Sequence, residues 1–295
     1  MSTNSTLRKF LPLGQFNLTD RSLPDDILDG LIPHLNTLSL PGCDAMTSPK
    51  IQILIAKLVN ATNLKTLFLY SNLNNLNLNT LNTLSLLNNI PKKILTVFLD
   101  GDKNIHEYIF HGSKFDTFVD NLKTIKNNFP QLTLKFTTNI TAYNIGRIKN
   151  ILDTTLYLKQ ELNTHIGFNE IRPGPIPSFI HPATLPQSLK NLYLTDLNSI
   201  DLTPYTTIKY SGQLVSIAKN TLQQNSTAHF DDFLHYTLAF DSATDTSYQL
   251  LYPELMTYMT ELLNRPEELP TIIHDSTTTN NLTSIDPNQP NFGYF

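Results

Sequence analysis

One cysteine, Cys43, and ten glycines are all that 295 residues hold of two residue types on which many functional sites depend. A lone thiol excludes an intrachain disulfide and any reliance on an oxidising compartment, so a cytoplasmic location when the chain is made is expected. No C-x2-C or H-E-x-x-H spacing occurs among the cysteine and the eight histidines, and no metal site is expected. So few glycines leave no Gly-rich phosphate loop. Charge is sparse as well. Asp, Glu, Lys and Arg make up 16% of the chain, the net charge is −4 and no basic run exists, which argues against a nucleic-acid partner. No stretch approaches the ~18 consecutive apolar residues of a membrane-spanning helix. The opening MSTNSTLRKF lacks the apolar core of a secretory leader, so neither membrane nor export is expected.

What is present is Asn, Thr and a repeating apolar pattern. Asn-x-Thr triplets such as Asn60-Ala61-Thr62 and Asn139-Ile140-Thr141 follow from that composition rather than from glycosylation. A short apolar strand recurs roughly every thirty residues. The segments are Phe16–Thr19, Leu35–Leu40, Leu64–Tyr70, Ile94–Leu99, Leu132–Thr137 and His165–Ile171, with Leu189–Leu194 as a seventh. They are continuous apolar runs more than alternations, the pattern of strands buried on both faces of a parallel sheet. Helical patterns fall between them, at Pro24–Ile32, Pro49–Asn60, Thr80–Asn89, Lys114–Asn128 and Ile145–Leu162. In the fourth, Phe115, Phe118, Val119, Leu122 and Ile125 share one face. Strand and helix alternating through short loops predict right-handed β/α units. A partial (β/α) barrel and a horseshoe of long leucine-rich repeats share this period. The barrel is favoured, because the Asn expected after each horseshoe strand is missing after Leu40 and Leu99.

Three regions are expected: residues 1–204 as the partial barrel, 205–265 as a helical extension and 266–295 as an extended polar tail. Leu214–Gln223, Phe230–Ala239 and Pro253–Leu263 supply the helices of the second region, the last with Pro in its first turn. Asp25-Asp26 and Asp231-Asp232 precede helical stretches and read as residues that complement a helix dipole. His106 and His111 read as helix-surface residues.

The order of these segments carries a resemblance. The run Val97-Phe98-Leu99-Asp100-Gly101, followed by a short helix and His111-Gly112-Ser113, resembles the fourth β/α unit of radical SAM enzymes. Gly42-Cys43-Asp44-Ala45 stands where that family has Gly-Gly-Glu-Pro. Ser71-Asn72-Leu73 stands for its Thr-Asn-Gly, and Thr141-Ala142-Tyr143-Asn144 is similar to its T-x-x-N. Pro173–Lys190 and Phe233–Leu255 resemble the loop and C-terminal region of short, phage-type "twitch" members. The resemblance spans roughly residues 15–260 and implies a radical SAM-type barrel. It breaks where the chemistry would sit. Phe16–Arg21 passes directly to Ser22–Leu28 with no C-x3-C-x2-C loop, and Phe98 takes the place of a Ser. An iron–sulfur cluster needs thiolate ligands, so no cofactor and no catalytic residue is expected. Gly42, Asp44, Asn72, Asp100, Asn144 and Arg172 are expected at the carboxyl ends of the strands as a vestigial pocket.

The resemblance therefore implies a non-catalytic member, a pseudoenzyme recruited as a binding or assembly component with protein partners in a larger assembly. The Asn/Thr-rich, Lys- and Glu-poor composition is similar to that of viral structural proteins, which points to a virion component. Two other roles stand beside it. One is a pseudo-subunit of an active radical SAM peptide-modifying enzyme, and the other is an enzyme of altered chemistry at the strand ends.

Overall fold

The computed structural model describes residues 29–40, 48–172, 177–226 and 228–264. Five strands form one sheet: β1 (Thr37–Leu40), β2 (Thr66–Ser71), β3 (Lys92–Phe98), β4 (Thr133–Asn139) and β5 (Phe168–Arg172). They lie side by side in chain order, and every neighbouring pair is parallel. The architecture is thus mixed α/β around a parallel sheet.

Between the strands run α1 (Pro49–Lys57), α2 (Leu78–Ser85), α3 (Lys103–Ile109), α4 (Phe115–Asn128) and α5 (Ile148–Glu161). With an unbroken strand order, right-handed crossovers place these connections on the same face. Burial agrees with that. Paired residues of parallel strands share a face, and the row Leu40, Leu69, Leu95, Leu134 is buried, as is the row Ser71, Val97, Phe136, Phe168. On the opposite face Phe68, Tyr70 and Lys135 are only half-buried and Ser39 is exposed, while Ile94 and Thr96 of the central strand are buried. The predicted apolar stripe of α4 is the one that packs, with Phe115, Phe118, Val119, Leu122 and Ile125 all buried. Burying each such side chain contributes roughly 1.5–3 kcal/mol.

Local chemistry sets the element ends. Asn77 accepts a hydrogen bond from Thr80 N–H to cap α2, and Asp102 accepts one from Ile105 N–H to cap α3. Gly101, just before the second cap, leaves no room for a larger residue, because a Cβ there would lie 2.4 Å from Ile105. Gly167 is equally constrained. It bridges to Lys209, and a Cβ would lie 2.6 Å from the Lys209 side chain. The strand expected from His165 accordingly begins only at Phe168.

Beyond the sheet come α6 (Gln187–Ser199), α7 (Ser211–Leu222), α8 (Phe230–Thr244) and α9 (Met256–Leu263). The seventh expected strand, Leu189–Leu194, is wrong, because the segment belongs to α6. Leu189, Tyr193 and Leu197, spaced by four, are buried while Leu192 is exposed, so the period of the apolar face is helical. Asp231 and Asp232 do lie in the first turn of α8. Among the described residues, one hydrophobic core runs from Ile32, ahead of β1, to Met259 in α9. The expectations for Phe16–Thr19, the Ser22–Leu28 segment and the tail from Pro266 lie outside the described residues.

Candidate functional site

The carboxyl ends of β3 and β4 are joined by side chains. Asp100, two residues past β3, is fully buried, and its Oδ1 accepts the backbone N–H of Asn139 at 2.8 Å. Thr138 Oγ1 donates to the carbonyl of Leu99 at 2.8 Å. Asn144 holds the loop behind β4. Its Nδ2 donates to the carbonyls of Asp100 (3.0 Å) and Asn139 (2.7 Å), and its Oδ1 accepts from Thr141 N–H at 2.8 Å. Thr141 Oγ1 in turn accepts from Tyr143 N–H at 3.2 Å. The Thr-x-x-Asn pattern is therefore a loop closure in which every polar atom of Asn144 is used inside the chain.

Asp100 is the exception. Among the described residues its Oδ2 has no hydrogen-bond partner. Burial pushes its carboxyl up to about 7, against the opposing pull of the hydrogen bonds from Asn139. At neutral pH it is a partly protonated acid cut off from solvent.

Asn72 serves a different cluster. Its Oδ1 accepts from Asn74 N–H at 3.2 Å, making a local turn after β2. Asn74 Oδ1 accepts the hydroxyl of Ser113 at 2.6 Å, and Ser113 Oγ lies 3.4 Å from His106 Nε2. The helix-surface reading of His106 is wrong, since this residue is fully buried. Phe110, Phe115 and Phe118 surround its ring, with centroids 4.8–5.6 Å away, and burial lowers its basicity to about 4. It turns inward because α3 and α4 pack face to face, which no local pattern announces. His111 is half-buried and meets Phe240 edge-on.

Of the remaining expected residues, Gly42 and Asp44 lie outside the described residues, as does Cys43. Arg172 ends β5 in register with Asn139, and only its backbone is described. The chain brings Asp100 and Asn144 into contact, while Asn72 is drawn into the Asn74–Ser113–His106 cluster.

The C-terminal helices cover these loops, a feature that sequence patterns did not disclose. Tyr143, from the loop after β4, packs against Phe233 of α8, Tyr252 and Tyr108 at centroid distances of 4.9, 5.7 and 5.6 Å. Its hydroxyl bonds Thr237 Oγ1 at 2.8 Å. Tyr108 of α3 donates to Asp241 Oδ1 at 2.7 Å, and the other oxygen of Asp241 accepts Tyr248 N–H at 2.7 Å. Arg147 Nη2 reaches both oxygens of Glu254, at 2.9 and 3.0 Å, and the carbonyl of Leu251 at 2.8 Å. Tyr193 donates to the same carboxylate at 2.8 Å. Burial and these carboxylates push the hydroxyls of Tyr108 and Tyr193 well above the usual phenol range.

A cleft of about 240 Å³ opens beside α5 and α6, lined by Ile145, Gly146, Lys149, Asn150, Tyr193 and Asp196 among others. Its polar groups are largely committed: Lys149 to Asp153, Asn150 to Asp102 and Tyr193 to Glu254. Among the described residues, no group of three or more His, Cys, Asp or Glu side chains gathers as a metal site would. The thiolates that an iron–sulfur cluster requires are not in the chain, so the residues do not fit that group. No described helix is long and apolar enough to cross a membrane. Comparison with known protein families, with curated proteins and with solved structures finds no match.

Proposed function

We propose that the chain is a non-catalytic protein built on a partial (β/α) barrel of the radical SAM type, and that it works as a binding or assembly component. The observation that carries this reading is the state of the strand ends. Barrel enzymes keep their chemistry at the carboxyl face. Here Asp100, Asn139 and Asn144 are buried and bonded chiefly to one another, and Tyr143 beside them is roofed by α8 and Tyr252. Groups spent on closing loops are not available to substrate. The unbroken parallel strand order and same-face helices fit a barrel wall. With the polar composition, a place in a virion is the specific form of the proposal.

The test is native mass spectrometry of the protein isolated from its source, with co-isolated chains identified. A defined assembly well above the 33.4 kDa of one chain is expected. A lone monomer without a partner overturns the proposal. Co-isolation of a brown iron–sulfur enzyme would instead mark the chain as that enzyme's pseudo-subunit.

A further inference from the structure

We propose that Asp100 is a pH-sensitive latch: loss of its proton releases the loop of residues 139–147 and, with it, the docking of α8.

The geometry couples the two events directly. One carboxyl oxygen of Asp100 takes the Asn139 N–H at the start of the loop, and the Asp100 carbonyl takes Asn144 Nδ2 near its end. The second oxygen, Oδ2, is buried and has no partner among the described residues. A neutral carboxylic acid tolerates that setting. A carboxylate places a full charge on a buried group whose one described hydrogen-bonding residue, Asn139, does not offset the loss of hydration. Swinging the loop outward is the direct way to hydrate it.

The same loop carries Tyr143, on which α8 rests through Phe233 and Thr237. Displacing the loop therefore removes part of the floor beneath the C-terminal helices.

Among the described side chains, neighbouring charged and titratable groups do not compensate. From β4, Asn139 faces the carboxyl, and from the loop behind it Asn144 holds the Asp100 backbone carbonyl; neither titrates. On the α3 side, Asp102 accepts from Ile105 N–H and Asn150 Nδ2, and His106 sits among phenylalanine rings beside Ser113. Ahead of α5, Arg147 is held by Glu254. On α8, Asp241 is held by Tyr108 and Tyr248. Burial is accordingly the leading influence on Asp100, opposed by the hydrogen bonds from Asn139, and among the described residues no charged side chain contributes to its shift.

Hydrogen exchange of the full chain at about pH 6 and about pH 8.5, corrected for the intrinsic rate, tests the latch. Protection of amides 139–147 and of the first turns of α8 is expected to fall about tenfold or more at the higher pH. In Asp100→Asn, which cannot ionise and keeps an oxygen for Asn139 N–H, protection should be the same at both. Unchanged protection in the wild type, or an equal fall in the variant, overturns the proposal. If Asp100→Asn does not fold, a carboxyl-carbon NMR titration of the wild type decides instead. A midpoint that coincides with the loss of protection supports the latch. Full ionisation of Asp100 with the loop still protected overturns it.

Discussion

Tyr108 and Asp241 lie 133 positions apart, and the Tyr108 hydroxyl donates to Asp241 Oδ1 at 2.7 Å. With this bond the first helix after β3 is fastened to the end of α8. Asp241 keeps a second partner, Tyr248 N–H, when the first is removed. Tyr108→Phe should therefore cost about 1.5–3 kcal/mol in urea unfolding, the value of one hydrogen bond to a charged group. Because the ring stays, its contacts with Tyr143, Phe240 and Tyr252 remain. A loss above about 4 kcal/mol would show that the two residues act in a wider network.

Arg147 and Glu254 form the second fastening, and both are mostly shielded from water. Arg147→Ala leaves Glu254 with Tyr193 as its hydrogen-bond donor and abandons the Leu251 carbonyl. A loss of about 3 kcal/mol is expected. Adding Glu254→Gln should recover part of it, since the uncompensated charge disappears. A double variant no more stable than the single one would contradict this account.

Asn144 closes the loop behind β4 with three hydrogen bonds, all buried. Asn144→Ala strands two carbonyls and one N–H, and should cost about 2–4 kcal/mol by thermal or urea unfolding. A cost under about 1 kcal/mol would mean that water replaces the amide, and the closure would then not be the reason for this residue.

Gly101 sits against Ile105, so Gly101→Ala overpacks the start of α3 at a cost of about 1–3 kcal/mol. Ile105→Ala removes the obstructing Cγ2 but leaves its own Cβ. The double variant should therefore be less destabilised than the sum of the two single changes. Additive losses would place the fault elsewhere.

Two buried groups pull stability in opposite directions with pH. Asp100 gives up its proton at about 7 when folded but near 3.8 when unfolded. Between these values the unfolded chain binds fewer protons, so stability falls as pH rises, by up to about 4 kcal/mol. His106 is protonated at about 4 when folded and near 6.5 when unfolded. There the unfolded chain binds more protons, so stability rises with pH, by up to about 3 kcal/mol. From about pH 4 to 6.5 the two slopes oppose each other. Asp100→Asn should therefore make stability climb more steeply with pH over that window than in the wild type. His106→Leu should make it decline with rising pH. Parallel profiles for the three proteins would refute the assignment.

Much of the secondary structure was legible because it rests on local spacing. The stripe Phe115, Phe118, Val119, Leu122, Ile125 defines α4, and the apolar runs ahead of Ser71, Leu99 and Thr137 define β2, β3 and β4. Leu189–Leu194 failed as a strand because short apolar runs fit either period, and only the packing of Leu189, Tyr193 and Leu197 chose the helix. The turn chemistry at Asn72, Asp102 and Asn144 also has local origins, since Asn and Asp side chains bond backbone a few residues away.

The burial and partnership of the polar groups belonged to the tertiary structure. His106 becomes an interior residue because α4 brings Phe115 and Phe118 over it. Asp100 becomes an acid with one unmatched oxygen because β4 delivers Asn139 N–H to the other. Tyr143 becomes a floor for α8 through contacts about ninety positions away. The sequence by itself determined most turns, the strands and helices with a clear apolar period such as β2 to β4 and α4, and which chemistries a single cysteine forbids, because those follow from local sterics, periodicity and ligand count. Which polar groups face water, and which are sealed at the strand ends, was decided only when distant segments packed and removed the solvent.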